Sequence, residues 1–211
     1  GPLSESIVLD MTRYFSHIKE IAAPSADGAS LASGRVEPGV FYRDFEKDAA
    51  KKNLLLPCFP ASKDLCTLGG MVANNSGGEK TLAYGKTEDY VEQLKVVLAD
   101  GNEYAFKPIS REELAAKLSL SSFEGELYRR VFAMVQENEE LLKAAKPKVS
   151  KNSAGYALWN VWDKEKGMFD MTQLFVGSQG TLGIITEIRF KLVAQATHSS
   201  LLVVFLKDQS L

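Results

Sequence analysis

Pro60-Ala61-Ser62-Lys63-Asp64-Leu65-Cys66-Thr67-Leu68-Gly69-Gly70-Met71-Val72-Ala73-Asn74-Asn75-Ser76-Gly77-Gly78 is the stretch on which the reading of this chain turns. Two Gly-Gly pairs enclose small and amide-bearing residues. Such a segment lets backbone N–H groups approach a ligand with no Cβ atoms in the way. Ser62, Thr67, Asn74, Asn75 and Ser76 add donors and acceptors suited to sugar hydroxyls or phosphate oxygens. A second segment, Gly177-Ser178-Gln179-Gly180-Thr181-Leu182-Gly183-Ile184-Ile185-Thr186, is a glycine-rich turn feeding a strand. Backbone groups at such a strand entry can hydrogen-bond the edge of an aromatic ring. Glycine turns are common, so from the residues alone two readings stay open: tight turns, or a ligand cradle.

The first segment lies within Leu56 to Gly85, a long stretch without sustained periodicity; unstructured stretches of that length are uncommon in compact domains and are usually functional. Upstream, Ser6 to Asp10 reads as a strand with almost no lead-in, Met11 to Ile21 carries a short amphipathic stretch, and Ala23 to Gly34 is a small-residue loop. Arg35 to Val40 reads as a strand ending in a Pro-Gly turn. Phe41 to Asn53 follows as a helix, with Phe41, Phe45 and Ala49 spaced i, i+4, i+8. Downstream, Val91 to Ala99 is an apolar strand, Asp100-Gly101 a hairpin turn and Glu103 to Lys107 the return strand. Ser110 to Ala145 reads as helical: Leu127, Val131 and Val135 share a face, Glu139 can pair with Lys143, and Pro147 closes the segment. The expectation is a surface helical insertion. Thr181 to Leu192 returns to strand, with Ile188, Phe190 and Leu192 alternating against Glu187, Arg189 and Lys191. Ser199 to Phe205 starts another strand. The abrupt first strand and this last one suggest a protein cut at both ends, and Gly1 to Ser4 resemble the remnant of a removed purification tag.

Composition narrows the function. The 211 residues carry 25 Lys and Arg against 27 Asp and Glu, so there is no basic excess to hold a polyanion and nucleic acid is a poor partner. No apolar run approaches the ~20 residues that span a bilayer, and no signal peptide is visible. Cys58 and Cys66 form no C-x-x-C pair and have no histidines beside them. A disulfide framework and a structural zinc site are therefore disfavoured, and a reducing, cytoplasmic compartment fits. No internal repeat is visible.

Familiar nucleotide motifs fail. There is no G-x-G-x-x-G. Gly85-Lys86-Thr87 imitates the end of a Walker A loop, but Lys80 stands where its earlier glycine belongs. Asn74-Asn75-Ser76 matches a glycosylation acceptor by chance. His17, His198 and Cys66 read as ordinary solvated or packed residues, and Trp159 and Trp162 as packing residues.

In order along the chain, V-E-P-G-V (36–40), the 60–78 segment, Y-G-K-T-E-D-Y-V (84–91), L-K-V-V-L-A-D-G (94–101), K-N-S-A-G-Y-A-L (151–158) and V-G-S-Q-G-T-L-G-I-I-T-E (176–187) resemble the FAD-linked oxidase family. This joint pattern is far more specific than any single glycine run. The family includes D-lactate dehydrogenase, the glycolate oxidase flavin subunit, D-2-hydroxyglutarate dehydrogenase and vanillyl-alcohol oxidase. The resemblance implies an α+β, PCMH-type FAD-binding fold, of which this chain is the second subdomain: a mixed, largely antiparallel sheet flanked by helices. Residues 5–195 would form that subdomain, and 196–211 the start of a C-terminal cap. Pro60, Ala61, Ser62, Thr67, Gly69 and Gly70 would line the flavin and pyrophosphate, and Ala73, Asn74, Ser76 and Gly77 would continue that wall. Tyr84 and Gly85 would close it, while Gly180, Gly183, Ile184 and Ile185 would meet the cofactor through backbone groups.

The implied activity is FAD-dependent oxidation of a small 2-hydroxy acid by hydride transfer to the flavin. Another alcohol, phenol or aldonolactone oxidation on the same fold stays open, as does a non-catalytic module that has lost flavin binding. The family's pyrophosphate loop has no counterpart before Ile7, and its cap would follow Leu211. The expected partners are therefore those two parts of the same protein and the substrate. Peripheral membrane association of the whole protein is left open. Gln179 stands where the family often has Glu, which leaves an acidic role there in doubt.

Overall fold

The computed structural model describes residues 7–28, 30–149, 152–198 and 200–205. Strand β1 (Ile18–Ala22) pairs antiparallel with β2 (Ser33–Val36), which leads through the Pro38-Gly39 turn into helix α1 (Tyr42–Ala50). The expected helical spacing works as read: Phe45 and Ala49 are buried, and Phe45 fills the space that a Cβ on Gly34 of β2 would need. After the two-residue strand β3 (Leu54–Leu55) the chain enters the glycine segment, which is not structureless. Leu68–Ala73 form helix α2, whose N-cap Thr67 accepts the Gly70 N–H at 3.2 Å; Thr81–Tyr84 form the single turn α3. Leu68, Met71 and Val72 are buried. Two adjacent glycines and a six-residue length hide this helix from any search for periodicity, because only one turn and a half is available to show it.

Strand β4 (Val91–Val97) and β5 (Glu103–Phe106) form the expected hairpin, with Gly101 at φ +80 in the turn. The helical region splits into α4 (Arg111–Leu118), α5 (Phe123–Glu137) and α6 (Glu139–Ala145). A reciprocal capping box starts α4: Glu113 N–H to Ser110 Oγ at 3.3 Å and Ser110 N–H to Glu113 Oε2 at 2.9 Å. Glu139 pairs with Lys143 at 2.9 Å as expected. The surface-insertion expectation is corrected, however. Tyr128, Val131 and Val135 of α5 are buried, and Tyr128 lies between Phe106 and Phe169 at centroid distances of 6.3 and 6.0 Å. The short strands β6 (Trp162–Asp163) and β7 (Met168–Phe169) and the turn α7 (Thr172–Phe175) complete this aromatic cluster. Trp162 packs edge-on against Phe132 at 5.8 Å.

Strand β8 (Ile184–Lys191) inserts between β2 and β4, giving the order β1-β2-β8-β4-β5, and β9 (Val193–Ala194) pairs with β3. Every pairing among the described residues is antiparallel. Val36, Leu94, Val96, Ile188 and Phe190 turn inward and are fully buried. Between them, Lys95 and Glu187 turn outward, where Lys19 Nζ meets Glu187 at 2.9 Å and Glu37 at 3.4 Å.

Two expected strands are absent. Ile7–Asp10 pair with nothing, are exposed, and end in a turn where Asp10 accepts the Thr12 N–H and hydroxyl. Residues 200–205 are likewise exposed and unpaired among the described residues, so apolar content alone does not make a strand. Gly1 to Ser6, Ser199 and 206–211 lie outside the described residues. No helix among the described residues is long and apolar enough to cross a membrane.

Candidate functional site

The two glycine segments meet in space. The carbonyls at the C-terminal end of α2 need partners, and the 177–180 turn supplies them: Gly177 N–H donates to Val72 O at 2.8 Å and Gln179 N–H to Ala73 O at 2.9 Å. The Gln179 side-chain amide reaches Asn74 Oδ1 at 3.1 Å. Gly177 and Gly180 are left-handed (φ +86 and +76), and so is Gln179 at φ +56. Left-handed backbone at a non-glycine residue is costly and concentrates at functional sites.

Between α2 and the entry to β8 runs an open groove of about 610 Å³. Of the residues expected from the sequence, Thr67, Gly69, Gly70, Ala73 and Asn74 form one wall, and Gly180, Gly183, Ile184 and Ile185 the other. Ile7, Leu9, Met11 and Pro38 complete it, and Gln179 spans its mouth. Pro38 belongs to the V-E-P-G-V motif, so that motif was the signal that could have marked it. Nothing in Ile7, Leu9 or Met11 announced them. The lining carries no charged side chain among the described residues, only apolar surface with the Thr67 hydroxyl and the Asn74 and Gln179 amides.

The glycines of this site are not equivalent. Gly180 faces open space: a Cβ there would meet nothing within 4 Å. A Cβ on Gly69 would lie 2.5 Å from Pro38 Cβ, and the Gly69 N–H already donates to Pro38 O at 2.8 Å. A Cβ on Gly183 would strike Val96 at 2.6 Å. Gly69 and Gly183 are therefore required by packing, and Gly180 alone of the three offers an unobstructed backbone.

The remaining expected residues lie outside the groove. Pro60, Ala61 and Ser62 form a surface turn, with Lys63 N–H to Pro60 O at 3.1 Å and Leu65 N–H to Ser62 O at 2.9 Å. Ser76 is buried behind the wall, its carbonyl taking the Thr87 N–H and hydroxyl at 3.0 and 2.8 Å. Gly77 packs against Thr81 and Lys86. Tyr84 is exposed, its carbonyl accepting the Tyr90 hydroxyl at 2.7 Å, and Gly85 (φ +80) leaves room for Asp89.

Among the described residues, no acid, base or thiol lies in the groove. His17 is exposed, with Nδ1 2.7 Å from Glu37 Oε2. Cys58 is fully buried, and that burial pushes its thiol up to about 12; burial also raises Cys66. No cluster of three or more potential metal ligands occurs among the described residues. The arrangement can hold a planar, largely apolar group by its faces and offer amides to its polar edge. It carries no group for proton transfer.

The chain is similar to known proteins. The family model described as FAD binding domain matches residues 1–106. The chain is 29% identical to the D-2-hydroxyglutarate dehydrogenase of Pantoea ananatis (strain AJ13355) over 187 residues, and 31% identical to that of Escherichia coli (strain K12) over 188. Each alignment covers 89% of this chain and 18% of the relative, so the chain spans less than a fifth of those proteins. It is 30% identical to the glycolate oxidase subunit GlcD of Bacillus subtilis (strain 168), over 90% of this chain and 29% of that protein. A solved alkyldihydroxyacetonephosphate synthase shares the fold at a TM-score of 0.50 and 21% identity, over 88% of this chain and 22% of that one. With the family match running over half of the chain and through the whole first glycine segment, the chain belongs to the FAD binding domain family.

Proposed function

We propose that this chain is one wall of the flavin pocket in a longer FAD-dependent oxidoreductase that oxidises a small 2-hydroxy acid. The observation that carries the reading is the groove itself: both glycine segments line it, it is uncharged, and Gly180 leaves its backbone open to a ligand. These features suit the flavin ring better than the pyrophosphate, which needs cations or a nest of free N–H groups. Bound FAD supplies the hydride acceptor. The chain's own part is to hold the ring: Ile184 and Ile185 offer an apolar surface, Thr67 and the amides of Asn74 and Gln179 offer hydrogen bonds, and the apolar rim excludes water on that side.

The substrate class follows from the relatives, whose names specify D-2-hydroxyglutarate and glycolate, both 2-hydroxy acids. A groove without His, Arg or carboxylate among the described residues supports a division of labour in which residues 5–195 hold cofactor, while substrate-orienting groups and the base come from a cap beginning near 196. Free cysteines suit a reducing, cytoplasmic setting.

The test is the full-length protein: it should purify with bound flavin, and D-2-hydroxyglutarate, D-lactate or glycolate should bleach the flavin band and drive dye reduction. A protein that takes up no FAD, or whose flavin none of these acids reduces, would overturn the reading.

A further inference from the structure

Behind the groove wall stands Asn75, a position with no contact to the groove. It is left-handed at φ +44, only 4% exposed, and packed where the end of α2 meets Gly177. A Cβ on Gly177 would lie 3.4 Å from the Asn75 Cβ, and the Asn75 N–H closes α2 onto Val72 O at 3.1 Å. Both ends of its side-chain amide are taken by one residue. Nδ2 donates to Glu88 Oε2 at 2.7 Å, and Oδ1 accepts the Glu88 backbone N–H at 3.1 Å. A carboxylate on one side and an N–H on the other leave the amide a single orientation. The second carboxylate oxygen of Glu88 meets Lys86 Nζ at 2.9 Å; Lys86 is buried and also donates to the Asn152 carbonyl. Ser153 Oγ then donates back to the Asn75 carbonyl at 3.1 Å.

We propose that Glu88, braced by Lys86, is a positioning residue for the groove. It locks Asn75 in its left-handed conformation, and Asn75 in turn sets the spacing between α2 and the 177–180 turn. A buried ion pair is a poor source of net stability, because desolvation offsets most of its attraction, and an apolar pair of similar volume supports a fold as well. What an apolar pair cannot do is grip an amide at both ends. The chain of contacts from Lys86 through Glu88 to Asn75 therefore specifies geometry. The consequence for cofactor affinity rests on the flavin reading above; the consequence for wall spacing does not.

The experiment uses the double variant Lys86→Met/Glu88→Leu, which removes the carboxylate half of the grip without stranding a charge and leaves only the backbone N–H of residue 88 on Asn75 Oδ1. Its denaturation midpoint should fall modestly, because the buried Asn75 Nδ2 loses its acceptor, while the fold is kept. In the chain without cofactor, amide hydrogen exchange at Asn75, Ser76, Gly177 and Gln179 should quicken by about tenfold or more, while Leu94 and Phe190 in the sheet stay protected. In the full-length protein the FAD dissociation constant should rise by about tenfold. Wild-type exchange at those four amides would overturn the positioning role whatever the flavin does. Loosened amides with unchanged FAD affinity would uphold it and count instead against the groove as the flavin wall. Should the double variant fail to fold, Asn75→Gly decides: glycine adopts the left-handed backbone freely but cannot be gripped, so unchanged exchange at Gly177 and Gln179 would sink the proposal.

Discussion

The Gln179 side-chain amide donates to Asn74 Oδ1 across 3.1 Å, joining residues 105 apart in the chain at the mouth of one groove. Asn74 ends α2 and Gln179 begins the approach to β8, so this contact exists only because β8 is threaded between β2 and β4. The groove is a product of sheet order, and its residues divide into those that build it and those that face it.

That division predicts opposite outcomes at two glycines. Gly69→Ala drives a Cβ against Pro38 and should cost about 2 kcal/mol of stability by overpacking. Gly180→Asn meets open space and accepts the left-handed backbone, so stability should fall by less than about 1 kcal/mol while flavin affinity in the full-length protein drops sharply. Urea melts and FAD titration of both variants check this, and equal stability losses would refute it.

The outer face of the sheet should show in acid. Burial raises the Glu187 carboxyl, but the Lys19 hydrogen bond and the Lys19 and Lys95 charges outweigh it and leave the group below the ordinary carboxylate value. A depressed folded pKa gives stability that is present above the unfolded value, about 4.3, and is lost as pH falls through the folded one. Glu187→Gln should therefore cost about 1 kcal/mol at pH 7, discounted because Lys19 is a third exposed, and almost nothing at pH 3. A deficit of the same size at both pH values would rule this out.

Thiol chemistry should be slow and uneven. Cys58 is buried, with its thiol pushed up to about 12, and should not react in the native protein; Cys66, partly exposed and raised less, should react slowly at pH 8. Unfolding without reductant should release two thiols, and finding none would mean a bridge.

Helix α5 should behave as core. Tyr128→Ala removes a ring packed between Phe106 and Phe169 and should cost about 3–5 kcal/mol. A loss under about 1 kcal/mol would restore α5 to the status of a surface appendage.

Residue order alone determined much of the scaffold. The β4–β5 hairpin, β8, the strand before Pro38, helix α1 and the helical character of 110–145 were legible because each carries its own period or turn over enough residues to be read, whereas the division of 110–145 into α4, α5 and α6 was not read. The motifs that carry the family resemblance were legible in the same way. Tertiary structure alone decided three things: that Ile7–Asp10 and 200–205 join no strand among the described residues, that α5 is buried, and that Gly69 serves Pro38 while Gly180 stands free. It also put Asn75, offered by the sequence as a ligand donor, and Glu88 of the 84–91 motif behind the wall, where they hold each other. The reason is physical. Periodicity and turn preference act between residues a few positions apart, whereas what a Cβ would strike, or which carbonyl an N–H reaches, depends on segments brought together only when β8 enters the sheet.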